Sequence, residues 1–413
     1  MAVGRSSHPY GDPVSWRSGR AFGFLCVAVY GAIAAGFIAR SVTGALTSPA
    51  NSDWVAFAVG SHLLRSGGCL YCVGSQLATT HALGLAPGDG INPFVSLPPV
   101  GFVFEPLGLL PPLQGIAVTL TVCGAMFCAA VALTWKLLPA VWRAPHRAGG
   151  ALVAAGSLVG LVAFLQWQWV MLLALLMTLV LQRGGRLVPA GLVMSLLLIE
   201  PQVVWLVVPM LVAARQWRTL VGFAIGALGW LAASLELVGP SQLLRWPGFL
   251  LQTHVSDAYR GVGLPAFVAS ITGNGSAAFW SSAALATAAC VLAVGFRRAL
   301  HEHPSHALAL GIALSLVAAP HIYAQDLTVL ALPCIVVANR RGDAALLVML
   351  ALSAITAIGF LEAPQFLRLI PETVLLMAAI VLDDLRTPLH RLGSDRVAHP
   401  ITAPAMLDPI PHR

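Results

Sequence analysis

The sequence predicts an all-α polytopic membrane protein, and three observations carry that expectation. Of its 413 residues 58% are hydrophobic and only 9% charged, against about a quarter charged in soluble domains. Mean hydropathy is +0.84. Apolar runs recur along the chain, separated by short basic or Pro/Gly-bearing breaks, as in a bundle of membrane helices. Little chain remains for a second folding unit, so residues 1–385 read as one transmembrane domain and residues 386–413 as a flexible inner tail.

About twelve membrane segments are expected. The first lies near 21–40, behind Arg5, Arg17 and Arg20. Its apolar run is longer than a signal-peptide core, so it reads as an uncleaved span that keeps the N-terminus inside. A long polar loop covers about 41–112. Further segments are placed near 113–136, 149–163, 167–182, 187–199, 202–214 and 219–238. A second long loop covers 239–278. The last segments fall near 279–296, 306–319, 326–338, 344–360 and 371–385. Several are shorter than the ~20 residues that cross a bilayer unaided, which is tolerated where a helix packs inside protein or borders a cavity.

Charge orients these segments. With the N-terminus inside and strict alternation, eighteen of the 23 Lys and Arg residues fall on the inner side. That asymmetry is what cytoplasmic loops require. It also accounts for the net charge of +7 without nucleic acid, which needs a basic patch or stripe. Both termini are then cytoplasmic and both long loops face outward.

Inside the first loop, Asp53 opens a helix expected over 53–66 and stopped by Gly67-Gly68. An acid there can cap the helix or favour its dipole; equally, it can serve as a catalytic carboxylate. Cys69 and Cys72 follow, either as free thiols or as a local disulfide in an oxidising compartment. Zinc lacks a second ligand pair nearby. The other five cysteines lie in apolar segments and read as packing residues. The stretch from Asn92 to Pro99, then Phe104 to Pro112, holds too many prolines for a regular span. It suits a re-entrant or interfacial segment, in which Phe94, Pro98, Pro99 and Phe104 either border a lipid-tail groove or anchor the interface.

Further polar side chains sit at span ends. Gln166, in Gln166-Trp167-Gln168-Trp169, is a partner for sugar hydroxyls or a helix-end group. Glu200, before Pro201, is a site acid or a turn residue reaching for water. His321, Tyr323 and Asp326 interrupt an apolar stretch after Pro320. Arg260, in the second loop, can fork onto phosphate oxygens or rest among lipid headgroups. By the charge-derived topology all of these lie at the outer face, and intramembrane or span-end ionisable groups are functional candidates. No P-loop, no GxGxxG, no nucleophile elbow and no outer-loop DxD pair occurs; Asp383-Asp384 lies at an inner span end. A soluble nucleotide-dependent mechanism is therefore not supported.

The order of these motifs resembles the family 87 glycosyltransferases, GT-C-type membrane enzymes, over roughly residues 50–340. Ser52-Asp53 with Leu63-Leu64 and Leu70-Tyr71 is similar to that family's first outer loop. Phe94 to Pro99 and Phe104 to Pro111 resemble its aromatic-Tyr-Pro-Pro and Pro-Leu-x-x-Leu-Pro segment. Gln166 matches its Gly-Gln step, Arg215-Gln216-Trp217-Arg218 its Arg-x-Trp-Arg turn, and Pro320-His321 with Tyr323 and Asp326 its Ser-Pro-His motif. Glu200 stands where the family has Lys, Leu165 where it has Gly, and Leu97 where it has Tyr.

The resemblance implies a GT-C-like fold in a bacterial plasma membrane. It implies a polyprenyl-phosphate sugar as donor substrate and a cell-envelope glycolipid or polysaccharide as acceptor. Mannose or arabinofuranose would be transferred with inversion, without cofactor or required metal. Asp53 would be the base, and Arg260 and His321 would meet the phosphate. A lipid-linked sugar transporter or a non-catalytic family member fits the same spans. A transporter, however, needs polar residues along a path through the membrane, and here they gather at one face.

Overall fold

The computed structural model describes residues 13–47, 52–85, 92–138, 144–156, 160–161, 164–257, 263–320, 322–341 and 378–383. Among them all regular structure is helical. Four helices are long and apolar enough to cross a membrane, and the chain is a multi-pass membrane protein.

Helix α1, Pro13–Thr47, overruns the expected segment at both ends. Its 35 residues span about 50 Å at 1.5 Å each, well beyond a hydrocarbon core. The predicted first outer loop folds into four short helices: α2 Asp53–Ser66, α3 Val73–Ala82, α4 Pro98–Val103 and α5 Glu105–Gly108. Helix α2 has the expected bounds. Gly67 ends it in the left-handed region at φ 66°. The Gly67 and Gly68 N–H groups then return to the carbonyls of Leu64 and Leu63, closing the helix as a glycine C-cap does. Pro98 and Pro99 do not prevent a helix; they start one, because the first turn needs no N–H from them.

Helix α6, Pro112–Leu137, and α7, Ala144–Ala155, pack together and against α1. Next come α8, Gln168–Arg183, and α9, Leu187–Met194. Helix α9 runs into 3-10 turns at Ser195–Ile199 and Pro201–Val203, broken at Glu200, before α10, Val207–Ala213. Helix α11, Trp217–Leu243, is kinked where Gly239 takes φ 74° ahead of Pro240. Its regular part therefore ends at the expected residue, 238. Helices α12, Trp246–Asp257, and α13, Leu264–Thr272, occupy the second long loop. After them come α14, Gly275–Gly295, α15, Arg297–Glu302, α16, Pro304–Ala318, a 3-10 turn at Ala324–Leu330, and α17, Ala331–Arg341. Of the last two expected segments, 344–360 lies outside the described residues and 371–385 is described only at 378–383, which are helical.

The short helix α16 is surrounded by protein rather than lipid. Helix α16 is buried at every position from His306 to Ala318. Helices α9 and α11 meet backbone to backbone: a Cβ on Gly191 would overlap the Thr219 carbonyl, and one on Gly222 the Val188 carbonyl. Small residues at such crossings are how membrane helices gain close van der Waals contact.

The first-loop helices form their own apolar cluster around Trp54, Phe57, Phe94 and Leu107. Trp54 Nε1 donates to the Leu107 carbonyl at 3.0 Å, and Ser61 Oγ to the Gly101 carbonyl at 2.9 Å. The rings of Phe57 and Phe104 stack at 4.4 Å, and Trp167 meets Phe104 edge-on at 4.2 Å. This cluster seats the loop on the membrane bundle beside the start of α8.

Candidate active site

Asp53 is the first residue of α2, after Ser52 as N-cap. Instead of capping its own helix, its carboxylate reaches across to a second one. Oδ2 accepts from the Trp167 main-chain N–H at 3.1 Å, and Trp167 is the N-cap of α8. Asn92 also hydrogen-bonds the carboxylate, and its Nδ2 donates to the Ser52 carbonyl at 3.2 Å. Burial pushes the Asp53 carboxyl up to about 6, while the bonds from Trp167 and Asn92 hold it back. It therefore ionises near neutrality, where a general base works best.

Two other carboxyls lie in the electrostatic neighbourhood of Asp53. Glu200, at the break between the two 3-10 turns, hydrogen-bonds Asp326, and both feel the Asp53 charge. Two carboxyls can bond only through a proton, which this pair shares. Asp326 Oδ2 also accepts from the Tyr323 N–H at 2.9 Å, and Gln202 Nε2 approaches Glu200 Oε2 at 3.4 Å. Gln325, beside Asp326, donates through Nε2 to Gln166 Oε1 at 2.9 Å. Among the described residues no three His, Cys, Asp or Glu side chains are spaced to hold a metal ion.

The structure thus brings Asp53, Gln166, Glu200 and Asp326 into one neighbourhood, from stretches far apart in the chain. Tyr323 joins through its backbone, with a side chain 37% exposed. Arg260 and His321 lie outside the described residues. Phe94, Pro98 and Pro99 are buried, with Phe104 packed partly buried beside them; they occupy the core of the loop cluster.

Cys69 and Cys72 form a disulfide. Arg245 Nη1 lies 3.5 Å from both sulfurs. Gln242 accepts from Leu70 N at 2.8 Å and donates to the Gly68 carbonyl at 3.2 Å. Trp246 Nε1 donates to the Val95 carbonyl at 2.9 Å. These contacts fasten the second long loop to the first.

Sequence reasoning missed Asn92, Gln202 and Gln325 as members of the site. Their signal was adjacency alone: Asn92 begins the Pro-rich stretch, Gln202 follows Glu200-Pro201, and Gln325 precedes Asp326. The Trp167 N–H, a main-chain group, leaves no trace in sequence.

A helical membrane bundle holds an ionisable acid where the loop helices meet it. The glycosyltransferase family 87 model matches residues 94–320, more than half of the chain, and the protein belongs to that family. It is a membrane glycosyltransferase, acting between a sugar donor and an acceptor. Gln166 and Glu200 lie inside the matched stretch; Asp53 and Asp326 lie on either side of it. No curated protein and no solved structure matches the chain.

Proposed function

We propose that this chain is an inverting transferase that moves a sugar, mannose or arabinofuranose, from a polyprenyl-phosphate donor to a cell-envelope glycolipid or polysaccharide. The site faces outward in this reading. The observation that carries it is the setting of Asp53: half-buried at the start of α2, held by the N–H of Trp167 and by Asn92, with its carboxyl pushed up to about 6. Asp53 accepts the proton of the acceptor hydroxyl as that oxygen bonds the anomeric carbon. The bond from that carbon to the phosphate oxygen breaks on the opposite side, and polyprenyl phosphate leaves with the electron pair. One displacement inverts the anomeric centre.

The Glu200–Asp326 pair shares a proton and so carries at most one negative charge. With the amide of Gln202 beside it it offers donors and acceptors suited to neutral sugar hydroxyls, not to a phosphate. The indole N–H of Trp167 is buried with no partner among the described residues, and buried donors are seldom left so; it is available to a substrate oxygen. The phosphate falls to Arg260 and His321, and the polyprenyl chain to the surface beside Phe94, Pro98, Pro99 and Phe104.

The test is purified protein in lipid vesicles with polyprenyl-phosphate mannose, arabinose or glucose and membrane acceptors, reading glycosylated product and released polyprenyl phosphate. Release equal to product supports the reading. Passage of intact donor across the vesicle without release would instead make the protein a transporter.

A further inference from the structure

The acid that holds Glu200 and the backbone that holds Asp53 are tied together by one side-chain bond. Gln325 Nε2 donates to Gln166 Oε1 at 2.9 Å across 159 residues of sequence. Gln166 lies in the non-helical bend that leads into α8, one residue before the Trp167 N–H that binds Asp53. Gln325 lies in the 3-10 turn, one residue before the Asp326 that pairs with Glu200. The two amides therefore sit one peptide from each holder. The turn carrying Gln325 packs directly on α8.

We propose that Gln325 is a positioning residue, which through Gln166 fixes the spacing between the Asp53 base and the Glu200–Asp326 acid pair. The proposal rests on the transferase reading above and names what keeps that site in register. Neither amide changes charge during transfer. Their contribution is to hold two irregular segments, a bend and a 3-10 turn, to each other by a side-chain bond. Errors of about 1 Å in such spacing can cost on the order of a hundredfold in rate. The spacing also sets how strongly the three carboxyls repel one another, because like charges in a low dielectric interact over many ångströms.

The experiment is a double-mutant cycle on the full chain in vesicles, supplied with the polyprenyl-phosphate sugar that wild type turns over. Gln166→Ala and Gln325→Ala should each lower kcat about tenfold with KM changed less than about twofold, and the double variant should be no slower than the slower single one. Multiplying losses would overturn the tie. Gln325→Glu keeps the bond, since the Gln166 amide can turn to donate. It adds a negative charge, so the acid limb of the pH–rate profile should move to higher pH; an unmoved limb counts against the proposal.

A third readout needs no turnover. Infrared titration of the purified protein follows the Asp53 carboxylate, assigned by its loss in Asp53→Asn. Its midpoint should move by about half a unit or more in Gln325→Ala. Gln325→Asn, one methylene too short to reach, replaces it where the alanine variant fails to fold. A wild-type protein that transfers no sugar refutes the transferase reading alone; the infrared midpoint then decides the positioning, and an unchanged midpoint rejects it.

Discussion

The main-chain N–H of Trp167 donates to Asp53 Oδ2 at 3.1 Å, so the acid that opens α2 is held by the start of α8. Two helices that never pair along their lengths are joined there by one carboxylate. Asp53→Asn keeps one oxygen to accept that bond and removes the charge and the capacity to take a proton. Sugar transfer should fall by about a hundredfold to ten-thousandfold, with Tm close to wild type. Product formation and polyprenyl phosphate release, followed side by side with thermal unfolding, check this. Transfer near wild type would remove Asp53 from the base role.

The pH dependence follows from the same carboxyl. Its pKa in the folded protein, about 6, lies above the unbound value of 3.8. The proposed base role needs the ionised form, so the rate should fall as pH drops through about 6. Stability runs the other way: the folded protein binds the proton more tightly than the unfolded chain. Asp53 therefore makes the fold less stable as pH rises from 3.8 to about 6. Asn92→Ala removes a bond that favours the ionised form and should move the acid limb of the rate profile to higher pH. A pH–rate series on the two proteins reads this directly.

At the crossing of α9 and α11, substitution has no room. Gly191→Ala places a methyl against the Thr219 carbonyl, and Gly222→Ala one against the Val188 carbonyl. Backbone cannot rotate aside as a side chain can. Each change should destabilise by more than about 2 kcal/mol, measured as a lower unfolding midpoint in detergent. Gly229→Ala, with nothing within 4 Å, serves as the tolerated control and should slightly favour the helix.

The Cys69–Cys72 disulfide closes a loop of four residues, for which chain entropy alone gives about 2 kcal/mol. Reduction or Cys69→Ser should therefore loosen the Gly68–Leu70 turn that Gln242 brackets without unfolding the bundle. Proteolysis of the first long loop should speed up while the thermal midpoint of the bundle changes little. Gln242→Ala, which removes both bonds to that turn, should have the same effect with the disulfide intact.

Much of the architecture was legible because it depends on local chemistry. Asp53 and Gly67-Gly68 bounded α2 correctly, and the Gly239-Pro240 step ended the regular part of α11 where the apolar pattern stopped. The Pro-rich stretch misled in part: two adjacent prolines forbid the interior of a helix, but in α4 they occupy its first turn. The short segments were visible as apolar runs, yet only packing explains how α16 persists with every residue from His306 to Ala318 buried.

The acids of the site could be listed from sequence, since carboxyls in apolar surroundings stand out. Their partnership could not. It depends on a main-chain N–H at Trp167 and on Gln325 reaching Gln166 across 159 residues. An amide such as Gln325 carries no mark of its partner in the sequence.

The break at Gly239 and Pro240 has a consequence for how this protein meets its surroundings. Beyond it, Gln242, Arg245 and Trp246 clasp the loop cluster that carries Asp53. The exit point of α11 is written in the chain, so lipid does not set it. In a thicker or thinner bilayer the long helices tilt, while the Asp53 neighbourhood keeps its internal dimensions. A change of lipid chain length should therefore alter how the protein sits but not how its acids face one another.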